Sequence, residues 1–337
     1  EMKWVDGLHE GDSYEYLRAT KVRTSEGLWT SANPRYIRSA LEKMDMQNCN
    51  PSVSPKVEKE IEPEDDVAVS LPEQKLYWSV VCLLLYLAQE RFDIQSTTRM
   101  LYQQLTAGTN KNMRQLKKLC RYLQGTKDLG VLFPVPRRDD DGKILEIYTD
   151  SDWATDKLTR KSTSGCIVYA HGCRLHSHSR GQDVVVLSSC EAEVMAGSEA
   201  TKEGLMLQHV LEFVGCGRFT LCLKLDSSSA RSFCHRSGVG RMKHIDARVL
   251  WLQDLTANKM LMTSKVPRLE NFSDLLTHVP DSPSIKLFVT SGSAGLQHGD
   301  PMKLAKSFKK AELRSAAKPW LQTKAAILMA TKVISAG

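Results

Sequence analysis

The sequence predicts an α/β domain with a mixed sheet over residues 143–280, preceded by a mainly helical segment over 1–135. Two observations carry this expectation. Before residue 125 apolar residues recur at helical spacing; from 143 onward they first alternate as in strands, and helical patterns intersperse later. A polar stretch over 134–142, with Arg137, Arg138 and Asp139 to Asp141, separates the two regimes. The length of 337 residues fits about two domains. With 42% hydrophobic and 25% charged residues, wholesale disorder and collagen-like repeats are excluded.

Residues 1–48 read as a short mixed piece. Leu28-Trp29-Thr30 suggests an edge strand, and residues 34–41 open an amphipathic helix with Asn33 as cap and Pro34 at its first position. Residues 49–72 hold four prolines and an acidic run from Glu58 to Asp66, the composition of a flexible linker. Three helical patterns follow. The first, 73–89, is apolar almost all round and is expected to be buried. The second lies near 97–105. The third, 112–124, carries Leu116, Leu119 and Leu123 on one face. Beyond the joint, 145–150 alternates as a strand, with Leu145, Ile147 and Thr149 on one face and Glu146, Tyr148 and Asp150 on the other. Residues 165–169 and 183–187 read as further strands, 189–214 as a long helix and 221–226 as a strand. Helices near 228–235 and 244–257, a strand at 260–265 and a short helix from Asn271 complete the domain. Residues 281–300 read as linker and 301–337 as a basic helical tail.

The net charge of +7 is not a signal of nucleic-acid binding by the body. From residue 281 onward there are nine Lys/Arg against three Asp/Glu, so the first 280 residues are close to neutral. Nine cysteines show no CxxC pair and no finger spacing, so reduced, buried thiols are expected. No apolar run reaches the ~20 residues of a membrane helix. The opening Glu1-Met2-Lys3-Trp4 has no signal-peptide core and no initiator Met. An intracellular piece of a longer product, cytoplasmic or nuclear and not secreted, is expected.

Carboxylates mark the ends of elements. Asp150 and Asp226 close strands, Glu191 and Glu193 start the long helix, and Asp274 starts the last one. If the two strands are neighbours and both helices pack on that sheet, the carboxylates converge and repel unless a cation fills the cluster. Oxygen ligands of this kind select Mg²⁺ or Mn²⁺. The same residue types also serve as helix caps and dipole partners, so spacing alone leaves both readings open.

Six motifs occur in one order: Tyr148-Thr149-Asp150-Ser151-Asp152-Trp153-Ala154, Arg160-Lys161-Ser162-Thr163-Ser164-Gly165, Ser188-Ser189-Cys190-Glu191-Ala192-Glu193, Leu225-Asp226-Ser227-Ser228-Ser229-Ala230, Lys243-His244-Ile245-Asp246 and Ser273-Asp274-Leu275-Leu276-Thr277. Together they resemble the ribonuclease H domain in the C-terminal part of copia-type LTR retrotransposon Pol polyproteins. Tyr77-Trp78-Ser79 and the run from Arg121 to Gly130 are similar to the segment between polymerase palm and ribonuclease H in the same polyproteins. The resemblance covers roughly residues 15–280. It implies a ribonuclease H-like mixed five-stranded sheet with flanking helices over 143–280, and a reverse-transcriptase thumb- or connection-like segment over 1–135.

The resemblance further implies an endoribonuclease that cuts the RNA strand of RNA–DNA hybrids with two Mg²⁺ ions, Mn²⁺ being an alternative. The family's metal-binding carboxylates fall on Asp150, Glu193, Asp226 and Asp274. Glu193 is preferred to Glu191 because Ala192-Glu193-Val194-Met195-Ala196 matches the helix start; Glu191 then lies about 200° round the helix. Asp152, His244, Arg160 and Lys161 are candidates for supporting or substrate contacts. The implied partners are an RNA–DNA hybrid and the reverse-transcriptase palm missing from this chain, with no membrane. The chain departs from the family at His176-Ser177, where Trp is usual, at Ser227-Ser228 and at Cys82. No Tyr-x-Asp-Asp motif occurs, so no polymerase activity is expected. His171, His176 and His178 have no partners at fixed spacing and read as surface residues. The rival reading is a catalytically inactive retroelement fragment that binds nucleic acid or protein without cutting.

Overall fold

The computed structural model describes residues 11–16, 19–59, 62, 66–134, 142–156, 159–240, 249–290 and 296–298. In chain order these form β1 (Ser13–Tyr16), β2 (Ala19–Thr24), β3 (Gly27–Ala32), α1 (Pro34–Lys43), α2 (Leu71–Leu87), α3 (Gln95–Gln103), α4 (Asn110–Gly125), β4 (Leu129–Pro134), β5 (Ile144–Asp152), β6 (Thr163–Ala170), β7 (Cys173–Gly181), α5 (Ser189–Phe213), β8 (Thr220–Leu225), α6 (Ser228–His235), α7 (Trp251–Ala257), β9 (Leu261–Lys265) and β10 (Leu296–His298). They fall into two compact units. One takes the described residues up to 134 together with those from 279 on; the other takes 142–278.

The first unit carries α1 to α4, further helical turns over 282–290 and an antiparallel sheet ordered β1-β2-β3-β4-β10. Asn33 caps α1 as expected, its side chain accepting the Arg35 N–H, with Pro34 in the first turn. Ser70 and Glu73 form a capping box on α2. At the end of α2, Arg91 lies buried against Asp93 (Nη2 to Oδ2, 2.8 Å); Tyr122 donates to the same carboxylate, and Arg91 also donates to the Thr126 carbonyl.

Four expectations for this part of the chain are corrected. Leu28–Thr30 is no edge: β3 lies between β2 and β4, every residue buried. Its partner strand, β4, was not foreseen. Helix α2 is not buried all round; Trp78, Cys82 and Tyr86 share an exposed stripe. Described residues of 49–72 are tied to α4 and do not form a free linker. Ser52 N–H donates to the Arg121 carbonyl, Gln115 donates to the Pro55 carbonyl, and Asp66 accepts from Thr109 and Lys111. Polar side chains there satisfy backbone groups that a proline-rich segment cannot pair in a ladder. Finally, 281–300 is not plain linker: helical turns run over 282–290, and β10 pairs with β4.

The second unit is the mixed five-stranded sheet with flanking helices that the resemblance implies. The order is β7-β6-β5-β8-β9, with β5–β6 and β6–β7 antiparallel and β5–β8 and β8–β9 parallel. Central β5 is buried on both faces. Helix α5 covers one: a Cβ added at Gly197 would sit 3.4 Å from Leu223, and one at Gly204 would strike Ile147. The 3₁₀ turn Phe272–Leu276 covers the other, where the Phe272 ring packs tilted against Tyr148 (4.9 Å) and edge-on against Tyr169 (5.5 Å). Residues 183–187 are not a strand, although apolar; Val185 and Leu187 are exposed. The strand is β7, polar in sequence. A two-residue turn at His171-Gly172, with φ of 50° and 74°, directs the chain back along β6. The tail over 301–337 and the helix start at 244 lie outside the described residues.

Candidate functional site

Topology gathers the carboxylates. Strands β5 and β8 are parallel neighbours, so their C-terminal ends, with Asp150 and Asp226, lie at the same edge of the sheet. Strand β7 returns to that edge, because Ser164 beside Ser151 also pairs with Arg180. Helix α5 therefore starts there. Ser188 caps it by accepting the Glu191 N–H, and the Glu191 carboxylate accepts the Leu187 N–H at 2.8 Å. Glu191 thus serves the cap, and Glu193, about 200° further round, joins the cluster. One oxygen each from Asp150, Glu193 and Asp226 lie within 4.8 Å of one another.

The segment after β9 closes the site. Asn271 donates to the Thr149 carbonyl at 3.0 Å and caps the 3₁₀ turn through Ser273. Thr277 then donates to Asp150 Oδ2 at 2.6 Å. Gly165, paired with Asp150, permits this approach: a Cβ there would meet the Ser273 carbonyl at 2.7 Å. Asp274 stands beside His278 (3.7 Å) and Arg268 (3.9 Å) and adds repulsion at Asp150.

Burial dominates the electrostatics. Desolvation pushes Asp150 up to about 7, helped by Asp274 and Asp226 and opposed by the Thr277 hydrogen bond. Desolvation, then Asp150 and Asp226, push Glu193 up to about 8. Asp152 is raised by burial, with His278 pulling the other way. Glu193 Oε2 is buried without a hydrogen-bond partner. A set of oxygen donors only, mutually repelling and with one buried oxygen unpaired, has the chemistry that a hard divalent cation requires. Arg160 and Lys161 lie in the β5–β6 connection that follows Asp150, with Arg160 exposed. His244 lies outside the described residues. Sequence reading passed over Thr277, although it stands in the same motif as Asp274.

A second cluster lies on the α5-facing side of β7. His176 Nε2 and His178 Nδ1 are 3.2 Å apart, and Glu203 Oε2 and Oε1 lie 3.7 and 4.0 Å from them. These histidines are not surface residues as expected; burial lowers both, His178 to about 2, so the imidazoles are neutral. His171 is buried too, against Phe219. The alternation at 176 and 178 was legible, but it acquires meaning only once β7 is known to be a strand. Arg180, two residues further along the same face, pairs with Glu203 at 2.7 Å.

No family model matches the chain. A retrovirus-related Pol polyprotein from transposon TNT 1-94 of Nicotiana tabacum is 30% identical over 270 residues, covering 78% of this chain and 20% of that protein. One from transposon RE1 of Arabidopsis thaliana is 28% identical over 276 residues, covering 80% and 18%. The chain thus spans about a fifth of the length of these relatives. Among solved structures, the N-terminal RNase H domain of a Mycobacterium tuberculosis protein shares 16% identity and a TM-score of 0.29, over 43% of this chain and 95% of that one. All nine cysteines are free, and no helix among the described residues is long and apolar enough to cross a membrane.

Proposed function

The chain belongs to the retrovirus-related Pol polyproteins of copia-type transposons, and on that premise we propose that its second unit is a ribonuclease H that cleaves the RNA strand of RNA–DNA hybrids. The observation that carries this reading is the convergence of Asp150, Glu193 and Asp226 within 4.8 Å at one edge of the sheet.

In this reading Asp150, Glu193 and Asp226 hold Mg²⁺, with Asp274 completing the negative wall; Mn²⁺ is the alternative. Bound there, two divalent cations supply the positive charge needed by a phosphodiester whose attacking and departing oxygens both carry negative charge. The chain's own residues prepare the place. Thr277 fixes the Asp150 carboxylate through Oδ2. The Glu191 cap holds the start of α5, and with it Glu193, in register. Burial keeps part of the Asp150 and Glu193 population protonated near neutral pH, so cation entry releases protons and is favoured as pH rises. Arg160 and Lys161 supply backbone contacts to the hybrid, whose shape and 2′-hydroxyls give recognition. The first unit is the thumb- or connection-like part, completed by a palm elsewhere in the polyprotein.

The test is a cleavage assay on a hybrid with labelled RNA, with Mg²⁺ and with EDTA. Magnesium-dependent shortening of the RNA strand to 3′-hydroxyl products, absent in Asp150→Asn, is the expected result. Hybrid binding without cleavage would favour the inactive binding fragment.

A further inference from the structure

We propose that His176, His178 and Glu203 form a zinc site, separate from the carboxylate cluster, that ties the edge strand β7 to helix α5.

A tetrahedral zinc ion with nitrogen and oxygen ligands at about 2.0–2.1 Å places its ligand atoms roughly 3.3–3.4 Å apart. Here the two ring nitrogens are 3.2 Å apart, Glu203 Oε2 lies 3.7 Å from His176 and Oε1 4.0 Å from His178, and one ligand atom from each of the three residues lies within 4.8 Å of the others. A small side-chain adjustment brings them to that spacing. The donors come from two elements. His176 and His178 stand two apart on β7 and so share a face, and Glu203 reaches them from α5. Two imidazoles and one carboxylate suit zinc, whereas the all-carboxylate cluster suits a hard cation. The imidazoles are neutral at neutral pH and keep lone pairs for a metal. Three protein ligands leave a fourth position, and the neighbouring Arg180 side chain, 56% exposed, marks a route to solvent. Cys166, directly opposite His178 on β6, is buried, and burial raises its thiol.

The competing state is also visible. Without metal the two histidines share one hydrogen bond, and Arg180 neutralises Glu203 at 2.7 Å. Zinc binding replaces the shared proton and draws the carboxylate from the guanidinium. Removing Arg180 should therefore tighten zinc binding, while removing a ligand weakens it. A purely structural hydrogen-bond network has no reason to produce these opposite signs.

The experiment titrates the full chain with ZnCl2, read by competition with a chromophoric chelator, and with Co²⁺, read by visible absorption. The background is Asp150→Asn/Glu193→Gln, which leaves the carboxylate cluster without two of its three converging ligands. One equivalent of Zn²⁺ should bind, with a tetrahedral Co²⁺ band. His176→Gln/His178→Gln should lose affinity at least about 100-fold, Glu203→Gln roughly tenfold, and Arg180→Gln should gain several-fold, on the scale by which ligands and their neighbours tune zinc sites. Circular dichroism checks the fold. If the double histidine variant fails to fold, the Glu203 and Arg180 variants decide. Zinc bound equally by parent and by ligand variants, including binding through thiolates, or no zinc bound at all, overturns the proposal.

Discussion

Asp150→Asn is expected to stabilise the metal-free protein at pH 8 while it lowers turnover. In the folded state burial raises Asp150 from 3.8 to about 7. The unfolded chain releases this proton near pH 4, the folded chain only near pH 7. Between those values the native state binds more protons, so stability falls as pH rises and the loss is complete above about pH 7. Roughly three pH units at 1.36 kcal/mol each set an upper bound of about 4 kcal/mol. Shared repulsion with Glu193 and local relaxation reduce this, and a gain of about 2 kcal/mol on removing the charge is expected. Asparagine keeps an oxygen for the Thr277 hydroxyl, so the hydrogen bond at Asp150 need not be lost. The assay is urea unfolding of parent and variant in EDTA at pH 8 and pH 4. The gain should be present at pH 8 and absent at pH 4. Saturating Mg²⁺ should reverse the order, because a ligand at 100 times its Kd adds about 2.7 kcal/mol to the parent. Hybrid cleavage should fall at least ~10²-fold. A variant that is less stable than the parent at pH 8 in EDTA would refute the argument that buried charge strains this edge of the sheet.

Other outcomes follow from the same contacts. Gly165→Ala should cost about 1–3 kcal/mol, because its Cβ meets the Ser273 carbonyl and Leu276, and should weaken Mg²⁺-dependent cleavage by displacing Asp274; unfolding and cleavage check both. Thr277→Val removes the bond that lowers Asp150, so the pH at which Mg²⁺ binding is half-maximal should move up, measured by calorimetric titration across pH 6–9. Arg91→Ala leaves Asp93 buried without its cation and should destabilise the first unit by about 3–5 kcal/mol, read by denaturant unfolding.

The sequence by itself determined most elements of the second unit. Strand alternation around Ile147, the long helix over 189–214 and the Asn271 start all rest on neighbours within a few residues, and these local rules hold in the folded protein. The preference for Glu193 over Glu191 comes from the resemblance of Ala192-Glu193-Val194-Met195-Ala196 to the family's helix start; helical rotation adds only that the two side chains face apart. Tertiary structure decided the rest. That three carboxylates approach within 4.8 Å depends on β8 lying parallel beside β5, a pairing between residues some 75 positions apart that no local pattern encodes. The same holds for β7. Its Cys173–Gly181 sequence is too polar to read as a buried strand, and it is buried only because the His171-Gly172 turn lays it along β6 beneath α5. The apolar run at 183–187 had the better strand composition but no strand beside it, so its backbone found no ladder to complete. Likewise β3 became interior, with β4 supplied from 100 residues downstream. Propensity acts along the chain, whereas burial and pairing are set by whatever the fold brings alongside.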